Sequence, residues 1–327
     1  MADEMIAWTW QSQGKPMGLK QESRALPVPG PGEVLLQNRS IGLNPVDWKM
    51  IEWGHPLWRP GHIPGVDGCG ILLAAGAGVR LPTGMRYAYH QDLGRDGSFA
   101  SHIVIRADAL MAVPPGVDDA IAAALPCPGL TAWQALEKLP GTGARDVLVC
   151  GGGGAVGLIL CQLALMAGWR VWTTASASHH PALLSLGVSG VFDYHDRDWQ
   201  QHLTTALGPR RLYAAFDTVS GAHARILAPL IGYNGHLICI QDRQESAPMP
   251  AFSTALSLHE VALNSIHLHG CREDLRLLRQ AGARLFSMVE QDCLELSPIS
   301  VSGFSTLPNV LAEVRQGILP GKQVVLL

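Results

Sequence analysis

The stretch Val147-Leu148-Val149-Cys150-Gly151-Gly152-Gly153-Gly154-Ala155-Val156-Gly157 decides how this chain folds. Four apolar residues in a row suit a strand buried on both faces. The glycines interrupt that strand, and the apolar segment running on to Ala167 reads as a helix. Gly152, Gly154 and Gly157 fall in the spacing G-x-G-x-x-G, between strand and helix, where a dinucleotide-binding turn belongs. In such a turn the first glycine permits the bend and the second lets the backbone approach a pyrophosphate. The third lets helix and strand pack closely. The helix N-terminus then offers unpaired N–H groups and a positive dipole end to phosphates. A frame starting at Gly151 fails, because Val156 falls where the third glycine is needed.

The pattern extends downstream. Arg170–Thr174, Val191–Tyr194, Leu212–Asp217 and His236–Ile240 read as strands, with helical sequence such as Pro181–Leu186 between them. Alternation of apolar strands and helices predicts a parallel sheet covered on both faces, an α/β doubly wound unit. A site for NAD carries Asp or Glu at the end of the second strand, to hold the ribose hydroxyls. Here that end reads Thr173-Thr174-Ala175-Ser176-Ala177-Ser178-His179-His180, and no acidic residue lies between Gly157 and Asp193. Hydroxyls and imidazoles can donate to a 2′-phosphate that a carboxylate would repel, so the expected cofactor is NADPH.

Upstream, the chain is β-rich. Glu33–Ile41, Gly70–Ala74, Met85–Tyr89 and Ser101–Ile105 are short apolar stretches separated by Pro and Gly, the pattern of a small barrel. After the parallel sheet come two amphipathic helices, from about Arg272 to Arg279 and from about Leu307 to Gln316, and an apolar strand, Val324–Leu327. The whole chain has 327 residues, 47% hydrophobic and 16% charged, enough to fill about two globular domains. Its net charge of −3, without a basic run, argues against nucleic acid as partner. Met1–Trp10 lacks the basic start and apolar core of a signal peptide. The apolar segment Ala155–Ala167 is too short to cross a bilayer. Seven cysteines with no Cys-x-x-Cys spacing read as reduced thiols, which points to the cytoplasm.

Further motifs occur in an order that resembles the medium-chain dehydrogenase/reductase superfamily, and within it the zeta-crystallin-like quinone oxidoreductases. Gly42-Leu43-Asn44-Pro45-Val46-Asp47 resembles that family's G-x-N-P-x-D, and Pro64-Gly65-Val66-Asp67-Gly68-Cys69-Gly70 resembles its P-G-x-D-x-x-G. Asp96-Gly97-Ser98-Phe99-Ala100, Leu130-Thr131-Ala132, Phe216-Asp217-Thr218-Val219-Ser220-Gly221 and Gly321-Lys322-Gln323-Val324-Val325 match further segments. The resemblance implies a GroES-like β-barrel catalytic domain from residues 1–118 with 271–327, a Rossmann NADP-binding domain at 119–270, and a homodimer. It implies that Asn44 and Thr131 approach the nicotinamide and that Gly154, Ala155 and Val156 hold the pyrophosphate. Ser176 would meet the 2′-phosphate, with His179 where many relatives carry Lys. Tyr194 would lie beside the adenosine half, and Lys322 would reach the cofactor.

Zinc-dependent members of the superfamily hold their metal with three protein ligands. Two of the matching positions are Asn44 and Val66, and only Cys127 can ligate. The region from Gly84 to Phe99 contains no cysteine, so a four-cysteine structural zinc lobe is missing too. Neither His179-His180 nor His267-x-His269 supplies more than two ligands. No metal is therefore expected, and Cys127 reads as a packed thiol without an activating partner. The expected enzyme transfers hydride from NADPH to a small, electron-poor acceptor, a quinone or an α,β-unsaturated carbonyl, where orientation and a dry cleft suffice. Lys49, on the Asn-Pro loop, is the candidate to steady an enolate oxygen. Trp48, Trp53 and Trp58 are candidates for one aromatic wall, and His55, His62 and His90 for the border of the cleft. Two other readings stand beside this one: a zinc-free enoyl-thioester or carbonyl reductase, and an NADPH-binding sensor or structural protein with little catalysis.

Overall fold

The alternation of short Gly- and Pro-bounded strands with longer strand–helix pairs resolves into two units. The computed structural model describes residues 4–141 and 143–327. One unit takes the chain up to Cys127 together with Asn264–Cys293 and Pro298–Leu327; the other takes Pro128–Leu263 and Leu294–Ser297.

The first unit begins with an antiparallel pair, β1 (Glu4–Thr9) and β2 (Lys20–Ala25). Its centre is β3 (Glu33–Gly42), which has β4 (Asp67–Ala75) along one edge. On its other edge, the first half of β3 pairs with β6 (His102–Arg106) and the last residues pair with β15 (Lys322–Leu326). β5 (Arg86–His90) and β7 (Leu110–Ala112) extend the sheet beyond β4, and β14 (Ile299–Gly303) runs parallel to β15. Between β3 and β4 lies the helix α1 (Pro45–Trp53), which starts in a capping box: Asp47 accepts from the Asn44 N–H at 2.7 Å.

The helix α2 (Asp119–Ala124) packs on β3 and β4. Ser40 Oγ donates to the Asp119 carbonyl, and Arg86 pairs with the Asp119 carboxylate at 2.9 Å. The first unit therefore keeps α2 and runs to Cys127. Gly42 is required here, because any Cβ would overlap the Ala123 carbonyl.

α3 (Pro126–Glu137) leads into the second unit. There β8 (Asp146–Cys150), α4 (Ala155–Met166), β9 (Arg170–Thr174), α5 (His180–Ser185), β10 (Gly190–Phe192), α6 (Trp199–Leu207), β11 (Leu212–Asp217), α7 (His223–Leu227), β12 (Ile231–Cys239) and β13 (Ser257–Glu260) follow in order. Every strand pairing is parallel, and the sheet order is β10-β9-β8-β11-β12-β13. Strand order reverses between β8 and β11, which makes this the doubly wound arrangement with a switch point beside β8. All five residues of β8 are buried, as a central parallel strand requires. Gln162, the polar break in the apolar helix, is buried on α4 and satisfied: it donates to the Glu295 carbonyl at 2.8 Å and accepts from the Glu295 N–H at 2.7 Å. That exchange ties Leu294–Ser297 to this unit.

α8 (Ile266–His269), α9 (Arg272–Glu290) and α10 (Leu307–Gln316) complete the first unit. α9 continues well past Arg279, because Ala281, Gly282, Leu285 and Phe286 are buried. Packing of that face outweighs the glycine's cost, roughly 1 kcal/mol.

Trp58 does not join Trp48 and Trp53. Trp58 is in the core, stacked on His62 at 4.4 Å and edge-on to Trp10 at 5.5 Å. Trp48 and Trp53 form a separate pair at 6.3 Å. A wall of three fails because the Trp58 indole N–H donates inward, to the Leu93 carbonyl at 2.6 Å.

Two stability measurements follow. Gly42→Ala and Gly157→Ala each introduce a Cβ into a backbone carbonyl. Each should lower the unfolding free energy by roughly 1–3 kcal/mol, read as a lower denaturant midpoint; an unchanged midpoint refutes the packing argument. Burial pushes the His62 imidazole down from 6.5 to about 4. The unfolded chain then takes up this proton before the folded one does, so this contribution is intact above pH 6.5 and is lost as pH falls toward 4. His62→Phe, which keeps a ring on Trp58, should shallow the acid side of the stability profile; an unchanged slope counts against it.

Candidate active site

The bend after β8 belongs to a glycine outside the G-x-G-x-x-G frame. Gly151 has φ of 75°, a left-handed backbone that side chains resist. Gly152, the glycine expected to make the bend, lies against β9: its N–H donates to the Thr174 carbonyl at 2.9 Å, and a Cβ would overlap Thr173 Oγ1. Gly157 performs its expected role, since a Cβ there would overlap the Gly151 carbonyl. Gly154 caps α4 without a side-chain hydrogen bond, and the space around its α-carbon is open apart from the Gly151 carbonyl. Ala155, Val156 and Gly157 form the first turn, where helix geometry leaves N–H groups without intrahelical acceptors. Open backbone and unpaired donors fit a pyrophosphate.

Polar side chains gather around the loop. The His179 ring covers Gly153 so closely that a Cβ would come 2.6 Å from it. Ser176 Oγ and Ser178 Oγ are 3.2 Å apart. Tyr194 is exposed and rests against the His195 ring at 4.2 Å. At the end of β11, Asp217 Oδ1 accepts from the N–H groups of Val219 and Ser220 and meets His223 Nδ1 at 2.8 Å. Its Oδ2 is buried with no protein partner. Thr218 Oγ1 donates to the Cys150 carbonyl at 2.7 Å, joining that turn to the glycine loop. A dinucleotide would thus find donors and an orphaned acceptor together at the C-terminal ends of β8, β9 and β11. Thr131 is a buried residue of α3.

In the first unit, a chain of buried polar groups runs through the expected zinc-ligand positions. Lys322 donates to the Leu43 carbonyl at 2.9 Å and to Asn44 Oδ1. Asn44 Nδ2 donates to Asp67 Oδ2 at 2.9 Å and to the Gly42 carbonyl at 3.3 Å. The Cys127 backbone N–H donates to the same Asp67 oxygen at 2.9 Å, and His90 Nδ1 meets Asp67 Oδ1 at 2.8 Å. Asn44, Asp67, His90 and Lys322 are all buried.

Asn264 settles which nitrogen of His90 carries the proton. Its Oδ1 accepts from the Leu93 N–H at 3.1 Å and its Nδ2 donates to the Gln91 carbonyl at 2.8 Å, so the amide cannot be reversed. That same Nδ2 faces His90 Nε2 at 3.3 Å. Nε2 is therefore the acceptor of the Asn264 amide, and Nδ1 is pointed at Asp67 as a donor. Nearby, burial pushes Asp47 up to about 7, with the neighbouring Asp67 adding to the effect. Burial pushes His267 down to about 4.

Asp67, His90 and Cys127 present ligand atoms within 4.8 Å of one another, a group that reading Asn44, Val66 and Cys127 had missed. A zinc ion does not fit them as they stand. Asp67 already accepts three hydrogen bonds, and His90 Nδ1 is a donor. Val66 is buried, and its N–H serves Asp47 at 3.2 Å. Asp67 was visible within P-G-x-D-x-x-G and His90 among the border histidines, whereas Asn264 carried no local signal. Asn44 spends both amide protons and Oδ1 on the protein. Lys49, half-buried on α1, holds its ammonium 5.7 Å from the rings of both Trp48 and Trp53.

A family model described as the alcohol dehydrogenase GroES-like domain matches residues 30–115. A trans-enoyl reductase of Cochliobolus carbonum is 32% identical over 202 residues, covering 57% of this chain and 67% of that protein. A chloroplastic quinone-oxidoreductase homolog of Spinacia oleracea is 35% identical over 189 residues, 54% of this chain and 56% of that one. In fold, a quinone oxidoreductase of Pseudomonas syringae superposes with a TM-score of 0.86 at 19% identity, over 99% of this chain and all of that one. The chain belongs to the medium-chain dehydrogenase/reductase superfamily, in its zinc-free branch of quinone oxidoreductases and trans-enoyl reductases, and is an oxidoreductase of the nicotinamide-dependent kind.

Proposed function

We propose that this chain is a zinc-independent, NADPH-dependent oxidoreductase that passes hydride to a small quinone or α,β-unsaturated carbonyl. The observation that carries the reading is the Lys322–Asn44–Asp67–His90 chain. It commits to hydrogen bonds the donors that would otherwise hold a Lewis acid. An acceptor already poor in electrons takes hydride without one. NADPH is favoured over NADH by Ser176, Ser178 and His179, which stand at the end of β9 where a carboxylate would mark NAD.

The bound nicotinamide would supply the hydride. Gly154, Ala155 and Val156 hold the pyrophosphate, Ser176 and His179 the 2′-phosphate, and Tyr194 flanks the adenosine. Thr131 serves the nicotinamide side. Asn44 acts by holding Lys322 in place. Lys49 steadies the oxygen on which negative charge develops as hydride arrives. An enoyl thioester is the second acceptor class, favoured by the trans-enoyl reductase relative. Seven cysteines with no disulfide among them suit the cytoplasm, and no described helix is long and apolar enough to cross a membrane.

A turnover screen tests this. NADPH and NADH are offered quinones, enones, enoyl thioesters and aldehydes, with and without a chelator. NADPH-selective, chelator-resistant reduction of quinones, enones or enoyl thioesters is expected. Lys49→Met should lower kcat by about tenfold to a hundredfold while leaving NADPH binding intact. Chelator-sensitive turnover, or reduction of aldehydes alone, would sink the proposal. NADPH binding without any turnover would favour the sensor reading.

The chain is also proposed to form a homodimer. β13 ends the parallel sheet, an open edge that soluble proteins cover, and Leu258 on it is exposed, as are Tyr233 and Phe252 of the same unit. Sedimentation velocity should give twice the chain mass, and Leu258→Lys should shift it toward the monomer. A wild-type monomer at micromolar concentration rejects this assembly.

A further inference from the structure

Asp67, His90 and Cys127 are a carboxylate, an imidazole and a thiol with ligand atoms within 4.8 Å of one another, the donor types that hold zinc. As residue types they would take a divalent ion; it is the hydrogen bonds they already hold that turn one away. What sets those bonds must lie in their surroundings, and Lys322 is the group there that a metal site does not have. Its ammonium is buried and bonded to the Leu43 carbonyl and Asn44 Oδ1. Because Asn44 Oδ1 is turned to Lys322, Asn44 Nδ2 is turned to Asp67. The ammonium thus repels a second cation through a low-dielectric interior and, by way of Asn44, places a donor on the oxygen a metal would need.

Asn264 adds a second barrier. A ligating histidine offers its other ring N–H to an acceptor. Coordination through His90 Nδ1 would put a proton on Nε2, which faces the Asn264 N–H.

We propose that Lys322 guards a latent metal site: its charge, one residue removed and relayed through Asn44, opposes a divalent ion that would otherwise bind to Asp67, His90 and Cys127. Lys322 is thus a positioning residue that sets which cation this pocket accepts. This rests on the zinc-independent reading, and the two fail separately: turnover with chelator tests that reading, whereas metal binding without acceptor or cofactor tests this one.

The experiment titrates the full chain with Co²⁺ and follows the thiolate-to-cobalt absorption band. Wild type should give no band that depends on Cys127. Lys322→Gln keeps an amide donor for Asn44 and Leu43 and removes only the charge. It should bind one Co²⁺ per chain, roughly tenfold or more tighter than wild type, with the band abolished by Cys127→Ser in the same background. Zn²⁺ should compete for the site and raise the melting temperature of Lys322→Gln but not of wild type. If Lys322→Gln does not fold alone, Zn²⁺ during refolding should restore it. A Cys127-dependent band in wild type, a folded Lys322→Gln without one, or a variant that zinc cannot rescue overturns the proposal.

Discussion

The carboxylate of Asp67 is completely shielded from solvent, and a buried charge is tolerated only where it is paired and hydrogen-bonded. Much of the first unit is arranged to meet that demand. Asn44 comes from the end of β3, His90 from the end of β5 and the Cys127 N–H from the start of α3, while Lys322 of β15 reaches the charge through Asn44. Asn264 then fixes His90 from outside. Four segments far apart in the chain are held in register by one anion. The loop that follows β3 owes its shape to a second carboxylate, since Asp47 accepts from both Asn44 and Val66.

The second unit solves a different problem. On the proposed reading, a phosphate-sized ligand would have to come close to backbone at the top of a parallel sheet. That requires a helix to start almost on the strand, so the space a Cβ would fill at Gly152 and Gly157 is already taken by β9 and by the loop itself. The loop is held by Thr174 on one side and Thr218 on the other. Thr174 accepts from the Gly151 N–H and Thr218 donates to the Cys150 carbonyl, both from neighbouring strand ends, so the glycine loop is tied to the sheet beneath it.

What could be read from sequence was local. The Gly152–Gly157 spacing, the apolar run of β8 and the absence of an acid after β9 are properties of adjacent residues, and α10 was placed at Leu307–Gln316 from its periodicity alone. The misses were tertiary. Gly151 was set aside because its frame failed, yet the backbone bends there. Trp58 lay close in sequence to Trp48 and Trp53, but its indole N–H turns it inward. At the zinc positions, Asn44 and Val66 are engaged with the protein itself. The trio that does assemble joins residues 67, 90 and 127, which no spacing rule connects. Cys127 was accordingly read as lacking partners although two titratable groups lie beside it.

The bond between Asn44 and Lys322 spans 278 positions, and nearly all of the parallel-sheet unit is threaded between them. During synthesis at the ribosome, the start of α1 that Asn44 caps therefore emerges long before the ammonium that will hold its amide. The parallel-sheet unit has its sheet strands in one continuous span and can assemble while the first unit waits for β15. Assembly of the buried site is consequently one of the last events in making the molecule, and a nascent chain stalled before residue 322 would carry a folded parallel-sheet unit and an unfinished first unit.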